Sequence, residues 1–116
     1  MDYTESILDS IKKLLGPSVD YNQFDQDIIT HINTALMDLN RIGIGPSEGF
    51  SIKDSSSVWK DFIDDLTKFE GIKTYVYLSV KLVFDPPSNS SVLASMEKRL
   101  DKLEWTLNST VNTDEV

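Results

Sequence analysis

His31 is the only histidine in the chain, and Asp27 stands one helical turn before it. In a catalytic pair the carboxylate would orient the imidazole, and the imidazole would carry a proton to or from a substrate. Such a pair needs a nucleophile or a polar pocket beside it, and no motif supplies either. A surface histidine with a local carboxylate accounts for the spacing. The acidic groups Asp25/Asp27 and Asp61/Asp64/Asp65 raise metal binding or two-carboxylate chemistry. A calcium loop alternates oxygen ligands around a glycine and closes on a distal glutamate, a pattern absent here. Solvated acidic helix faces explain both groups. The chain has no cysteine, which removes thiolate zinc sites, disulfides and thiol catalysis together. Gly43-Ile44-Gly45-Pro46 has the glycines of a phosphate loop, but it follows a helical pattern and no Gly-Lys-Ser/Thr comes after it. There is no Gly-x-Ser-x-Gly elbow. The residues predict no enzyme, no cofactor and no metal site.

Binding chemistry is the alternative. Trp59, Tyr75, Tyr77 and Trp105 have the faces on which bases stack. Stacking proteins also carry a basic groove, whereas this chain holds 19 acidic and 11 basic residues, a net charge of −8. Its electrostatics disfavour a tight grip on nucleic acid or anionic lipid and suit a surface that DNA slides past. The aromatics are then core or protein-contact residues. Phe50 and Ile52 are two large apolar side chains in a Gly/Ser-rich loop. Either they fold back onto the core, or they dock into a neighbouring subunit as an edge strand or a pocket filler.

The elements that must position these residues are helical. Ile7, Leu8, Ile11, Leu14 and Leu15 predict a first helix over 4–15, capped by Asp2 or Thr4 and ended by Gly16-Pro17. Ile28, Ile29, Ile32, Ala35, Leu36, Leu39 and Ile42 predict a second over 24–42, with acids in its first turn and Arg41 in its last. A long irregular loop, Gly43–Ser57, follows, with a very short strand or arm near 50–52. A third helix over 58–69 turns Trp59, Phe62, Ile63 and Leu66 inward. Residues 72–84 fit both a strand and a helix that is apolar nearly all round. Their length, and the lack of a second strand to pair with, favour a helix buried mid-bundle. Phe84-Asp85-Pro86-Pro87 is a stiff corner, since two prolines remove two backbone donors. Ser90–Leu107 is a last helix with Val92, Leu93, Met96, Leu100, Leu103 and Leu107 on one face.

The fold class is therefore all-α, a compact bundle of about five helices in one domain over 1–108, with a flexible polar tail over 109–116. Ile28, Ile32, Leu36, Leu39, Trp59, Phe62, Val76, Val80, Leu100 and Leu103 form its expected core. The longest apolar run is too short for a membrane span, and no signal core opens the chain. A soluble protein, intracellular when made, is expected; the two Asn-x-Ser/Thr triplets are then chance.

Several pieces, in order, resemble a known family. These are Phe24-Asp25 before the Ile28/Ile32 helix, Leu39-Asn40-Arg41-Ile42-Gly43-Ile44-Gly45-Pro46, Gly49-Phe50-Ser51-Ile52, Trp59-Lys60-Asp61-Phe62, Phe84-Asp85-Pro86-Pro87 and Glu104-Trp105-Thr106-Leu107-Asn108. Together they are similar to the small head–tail connector, or head-completion, proteins of long-tailed bacteriophages and prophages, over about Phe24 to Asn108. Thr106 stands where many relatives carry arginine. The resemblance implies a non-catalytic virion protein made in the host cytoplasm. It would assemble at the head–tail junction as a ring of about twelve subunits. The ring would sit below the portal protein, meet the next head-completion or tail protein, and let DNA pass without specific binding or any membrane role. Ile44, Phe50, Ile52, Asn108 and Val111 are the candidate subunit or partner contacts on that reading. An acidic helical regulator that mimics DNA is the alternative.

Overall fold

The computed structural model describes the backbone of residues 3–19, 21–63 and 66–114. It contains five α-helices: α1 (Ile7–Leu15), α2 (Asp25–Arg41), α3 (Trp59–Phe62), α4 (Leu66–Phe84) and α5 (Ser90–Asp114). Single 3-10 turns at Pro17–Val19 and Asn22–Phe24 lead from α1 to α2. No strand forms among the described residues, and no helix there is long and apolar enough to cross a membrane.

α4 is the centre of the molecule and packs against α1, α2 and α5. That position explains its composition. A helix with neighbours on several sides must be apolar on several sides, and Phe69, Ile72, Tyr75, Val76, Leu78 and Val80 are all buried. The alternation that imitates a strand over 72–84 is the by-product of this all-round burial. α2 contributes Ile28, Ile32, Ala35, Leu36 and Leu39 to the same core, and α1 contributes Ile7, Leu8 and Ile11.

The third helix differs from expectation. It stops at Phe62, Ile63 is extended (φ −139°, ψ 149°), and α4 starts at Leu66, before Gly71 rather than after it. A β-branched residue is at home in the extended region, and the break lets Ile63 stay buried. Gly71 lies inside α4 where α5 packs on it: a Cβ on Gly71 would lie 3.5 Å from the Leu107 side chain, an ordinary contact. Asp64, Asp65 and the Leu66 side chain lie outside the described residues.

The start of α1 also differs. Ser6, rather than Thr4, accepts from the Asp9 N–H at 3.2 Å, and Asp2 lies outside the described residues. The segment before it pairs antiparallel with the segment before α3. Ile7 N–H donates to Ser57 O at 3.0 Å, Trp59 N–H to Glu5 O at 3.2 Å and Lys60 N–H to Tyr3 O at 2.7 Å. Glu5 secures this strap to two helices through Lys13 of α1 (3.2 Å) and Lys73 of α4 (3.6 Å).

At the other end α5 continues past Leu107 to Asp114. No glycine or proline follows Asn108 to stop it. The side chains beyond Asn108, Val111 among them, are outside the described residues.

Candidate interaction surfaces

The loop between α2 and α3 is built onto α2 by two asparagines. Asn33 Nδ2 donates to the Ile52 carbonyl at 3.0 Å, and Ile52 N–H donates to Asn33 Oδ1 at 2.8 Å. The amide thus replaces both hydrogen bonds of a missing backbone partner. Seven residues on, Asn40 Nδ2 donates to the carbonyls of Ile44 and Pro46. Gly45 completes the loop with φ +90°, and a Cβ there would collide with the Phe62 ring.

These bonds decide the fate of three expected interface residues. Ile44 is 4% exposed and Ile52 is 2% exposed. Both belong to the core of their own chain, and for Ile52 this is the fold-back alternative that the loop sequence left open. Apolar residues in a loop bury themselves whenever the backbone around them can be satisfied, and Asn33 and Asn40 satisfy it. Phe50 is half-buried, with its ring 5.4 Å from that of Phe62. With Met37 of α2, which is 64% exposed, it lines a shallow groove of about 470 Å³. Asn108 is exposed on α5.

The expected core residues Ile28, Ile32, Leu36, Leu39, Trp59, Phe62, Val76 and Val80 are buried. Leu100 and Leu103 are partly buried against them. Trp59 adds a polar link inside: its indole N–H donates to Ser10 Oγ at 2.8 Å, and Ser10 Oγ donates to Ile7 O at 3.0 Å.

The corner holds by aromatic and capping contacts. Phe84 packs edge-on against Phe24 at 5.7 Å and against His31 at 6.5 Å, tying the end of α4 to the start of α2. Lys81 Nζ pairs with Asp85 at 2.9 Å. Asn89 Oδ1 accepts from Ser91 N–H (2.8 Å) and Val92 N–H (3.2 Å), which caps α5. Beside Phe84 a cavity of about 500 Å³ opens between Val19, Phe24, His31, Val83 and Asp85. Val83 stands 64% exposed at its edge. On α5, Trp105 is 71% exposed. Neither exposure is signalled by residue type, since both side chains would suit a core.

Several acidic side chains have structural partners, Asp25 and Asp61 among them. Asp61 Oδ2 accepts from Val58 N–H at 3.0 Å at the start of α3. Asp25 pairs with Lys12 of α1 at 2.8 Å. Asp54 accepts from the Ser56 hydroxyl and backbone N–H, which hold its carboxyl below the usual range. Arg41 reaches Glu104 across α2 and α5 at 3.4 Å. Between those helices Tyr75 is buried, and burial first, then Glu104 and Asp38, push its hydroxyl up to about 12. Among the described residues no three His, Cys, Asp or Glu side chains converge to hold a metal ion.

The surface thus offers grooves and exposed apolar side chains, and its polar groups serve caps and ion pairs. Comparison with protein families gives that arrangement its context: a family described as phage connector protein matches residues 7–114. The chain belongs to the phage connector protein family. It is a structural head–tail connector, located at the head–tail junction of the virion and interacting there with portal or tail components. No match was found among curated proteins or among solved structures. The connector signature extends beyond the motif-bearing stretch at both ends, from the first residue of α1 to the last of α5.

Proposed function

We propose that this connector assembles into a ring of about twelve copies, seated below the portal, continuing the DNA exit channel and presenting a platform to the next head-completion or tail protein. What carries this reading is the placement of large exposed apolar side chains on separate elements: Met37 on α2, Val83 at the end of α4 and Trp105 on α5. A ring needs two different patches on each subunit, and a chain with a single docking face would not supply them. The net charge of −8 supports a conduit role, because an acidic wall repels phosphates and lets DNA move. The end of α5 from Asn108 onward, including Val111 and the segment to residue 116, is the part that docks on the portal. The core domain, residues 1–108, builds the ring.

The test is electron microscopy of the purified protein with and without portal protein. Rings in either sample support the reading. A chain that stays monomeric with portal present, and does not co-purify with it, overturns it.

A further inference from the structure

The outward face of α5 carries Trp105, 71% exposed, together with Lys98 and Lys102, which are exposed and lie seven and three residues before it. Asp101, one turn before, is the single acid among its nearest neighbours on that face. A tryptophan held in water on a helix surface is a poor monomer feature and a common interface anchor. The cavity at the corner has the opposite character. Its lining is Val19, Phe24, His31, Val83 and Phe84 with the carboxylates Asp27 and Asp85, and Asp85 is paired with Lys81 at 2.9 Å. It has about 500 Å³ of space, enough for an aromatic side chain. The groove beside Gly45 and Phe62, by contrast, is lined by Lys60 and Lys68 against the single carboxylate of Asp61, a net positive charge that suits a lysine-flanked tryptophan less well.

Trp105 cannot reach the cavity of its own chain. Leu107 packs beside Gly71 near the start of α4, while the cavity lies at Phe84, its last residue. Thirteen helical residues separate the two positions, roughly 20 Å at 1.5 Å per residue.

We infer that the Trp105 face of α5 from one copy docks into the corner cavity of the next copy, Trp105 filling the space beside Phe24, Val83 and Phe84 while Lys98 and Lys102 approach Asp27 and the Asp85 carboxylate that Lys81 also holds. The occupant is a second copy because the same chain carries both the knob and the hole, with matching charge. Such a contact is heterologous and propagates head to tail, closing into a ring when the rotation allows. This inference rests on the ring reading and names the surfaces that make it.

The experiment uses two full-length variants, Trp105→Ala (hole without knob) and Val83→Arg (knob with blocked hole). Both positions are exposed, so circular dichroism should match the wild type. In sedimentation velocity the wild type should self-associate, and each variant alone should do so about tenfold or more weakly. Their equimolar mixture should form a 1:1 dimer and nothing larger, because only one knob and one hole remain. Asp85→Lys should weaken association, and adding Lys102→Glu should restore part of it. A mixture that stays monomeric, or a Trp105→Ala protein that still forms wild-type rings, overturns the docking and leaves the ring intact. Loss of portal binding in Val83→Arg with self-association unchanged assigns the cavity to the portal and overturns it too. A wild-type chain that never self-associates, alone or with portal, removes the docking and the ring together.

Discussion

At the scale of single residues, two buried polar groups make sharp predictions. Ser10 is 1% exposed and receives the Trp59 indole N–H. Ser10→Ala leaves that donor buried without a partner, and urea denaturation should show a loss of about 1–3 kcal/mol. Tyr75 tests linkage. Its hydroxyl titrates at about 12 in the fold against 10.0 as a free side chain. Between those values the folded state holds a proton that the unfolded state has released, so stability falls as pH rises. The contribution is complete below pH 10 and is lost as pH passes through 12. Two pKa units correspond to about 2.7 kcal/mol, an upper bound here. Tyr75→Phe should flatten this part of the alkaline unfolding curve relative to wild type, measured by denaturation between pH 9 and about 12.

At the scale of elements, two glycines separate loop geometry from helix propensity. Gly45 has a left-handed φ and touches the Phe62 ring. Gly45→Ala should cost roughly 1–3 kcal/mol, from the strained backbone and the displaced ring together. Gly71 lies within α4, and its new Cβ would meet Leu107 at ordinary contact distance. Gly71→Ala should therefore stabilise by about 0.5–1 kcal/mol through helix propensity. Thermal melts of the two variants should move in opposite directions. The same contrast explains what was legible. A glycine after Ile42 reads correctly as a helix end, because Gly43 takes a left-handed φ of 97° there. The glycine at 71 reads wrongly as a boundary, because the packing of α4 against α2 and α5 carries the helix through it. Asn33 and Asn40 were missed as the supports of the long loop. Their spacing of seven on an apolar helix was the available signal, but only the folded loop shows which carbonyls they serve.

At the scale of the whole molecule, apolar side chains divide into those the chain buries itself and those it leaves for others. Ile52 belongs to the first group. Ile52→Asp would place a charge in the core and should unfold the domain, a loss of about 4 kcal/mol or more, seen as disappearance of helical circular dichroism. Trp105 belongs to the second. Trp105→Ala should change monomer stability by about 0.5 kcal/mol or less, and an unshifted melting temperature below the concentration of self-association checks it. The two outcomes choose between alternatives that residue type leaves open: the isoleucine in the glycine-rich loop folds onto the core, and the tryptophan on the terminal helix stays exposed.

Local rules decided much of this protein. The periodicity of Ile28 to Leu39 makes α2, Pro86-Pro87 ends α4 and Asn89 starts α5. The ordered motifs from Phe24 to Asn108 were enough to point to a phage connector. These features are readable because each depends on residues a few positions apart. Tertiary structure decided the break at Ile63, the continuity of α4 through Gly71, the burial of Ile44 and Ile52, and the exposure of Val83 and Trp105. Each of those depends on which helix lies alongside, and burial is a property of the neighbour as much as of the residue.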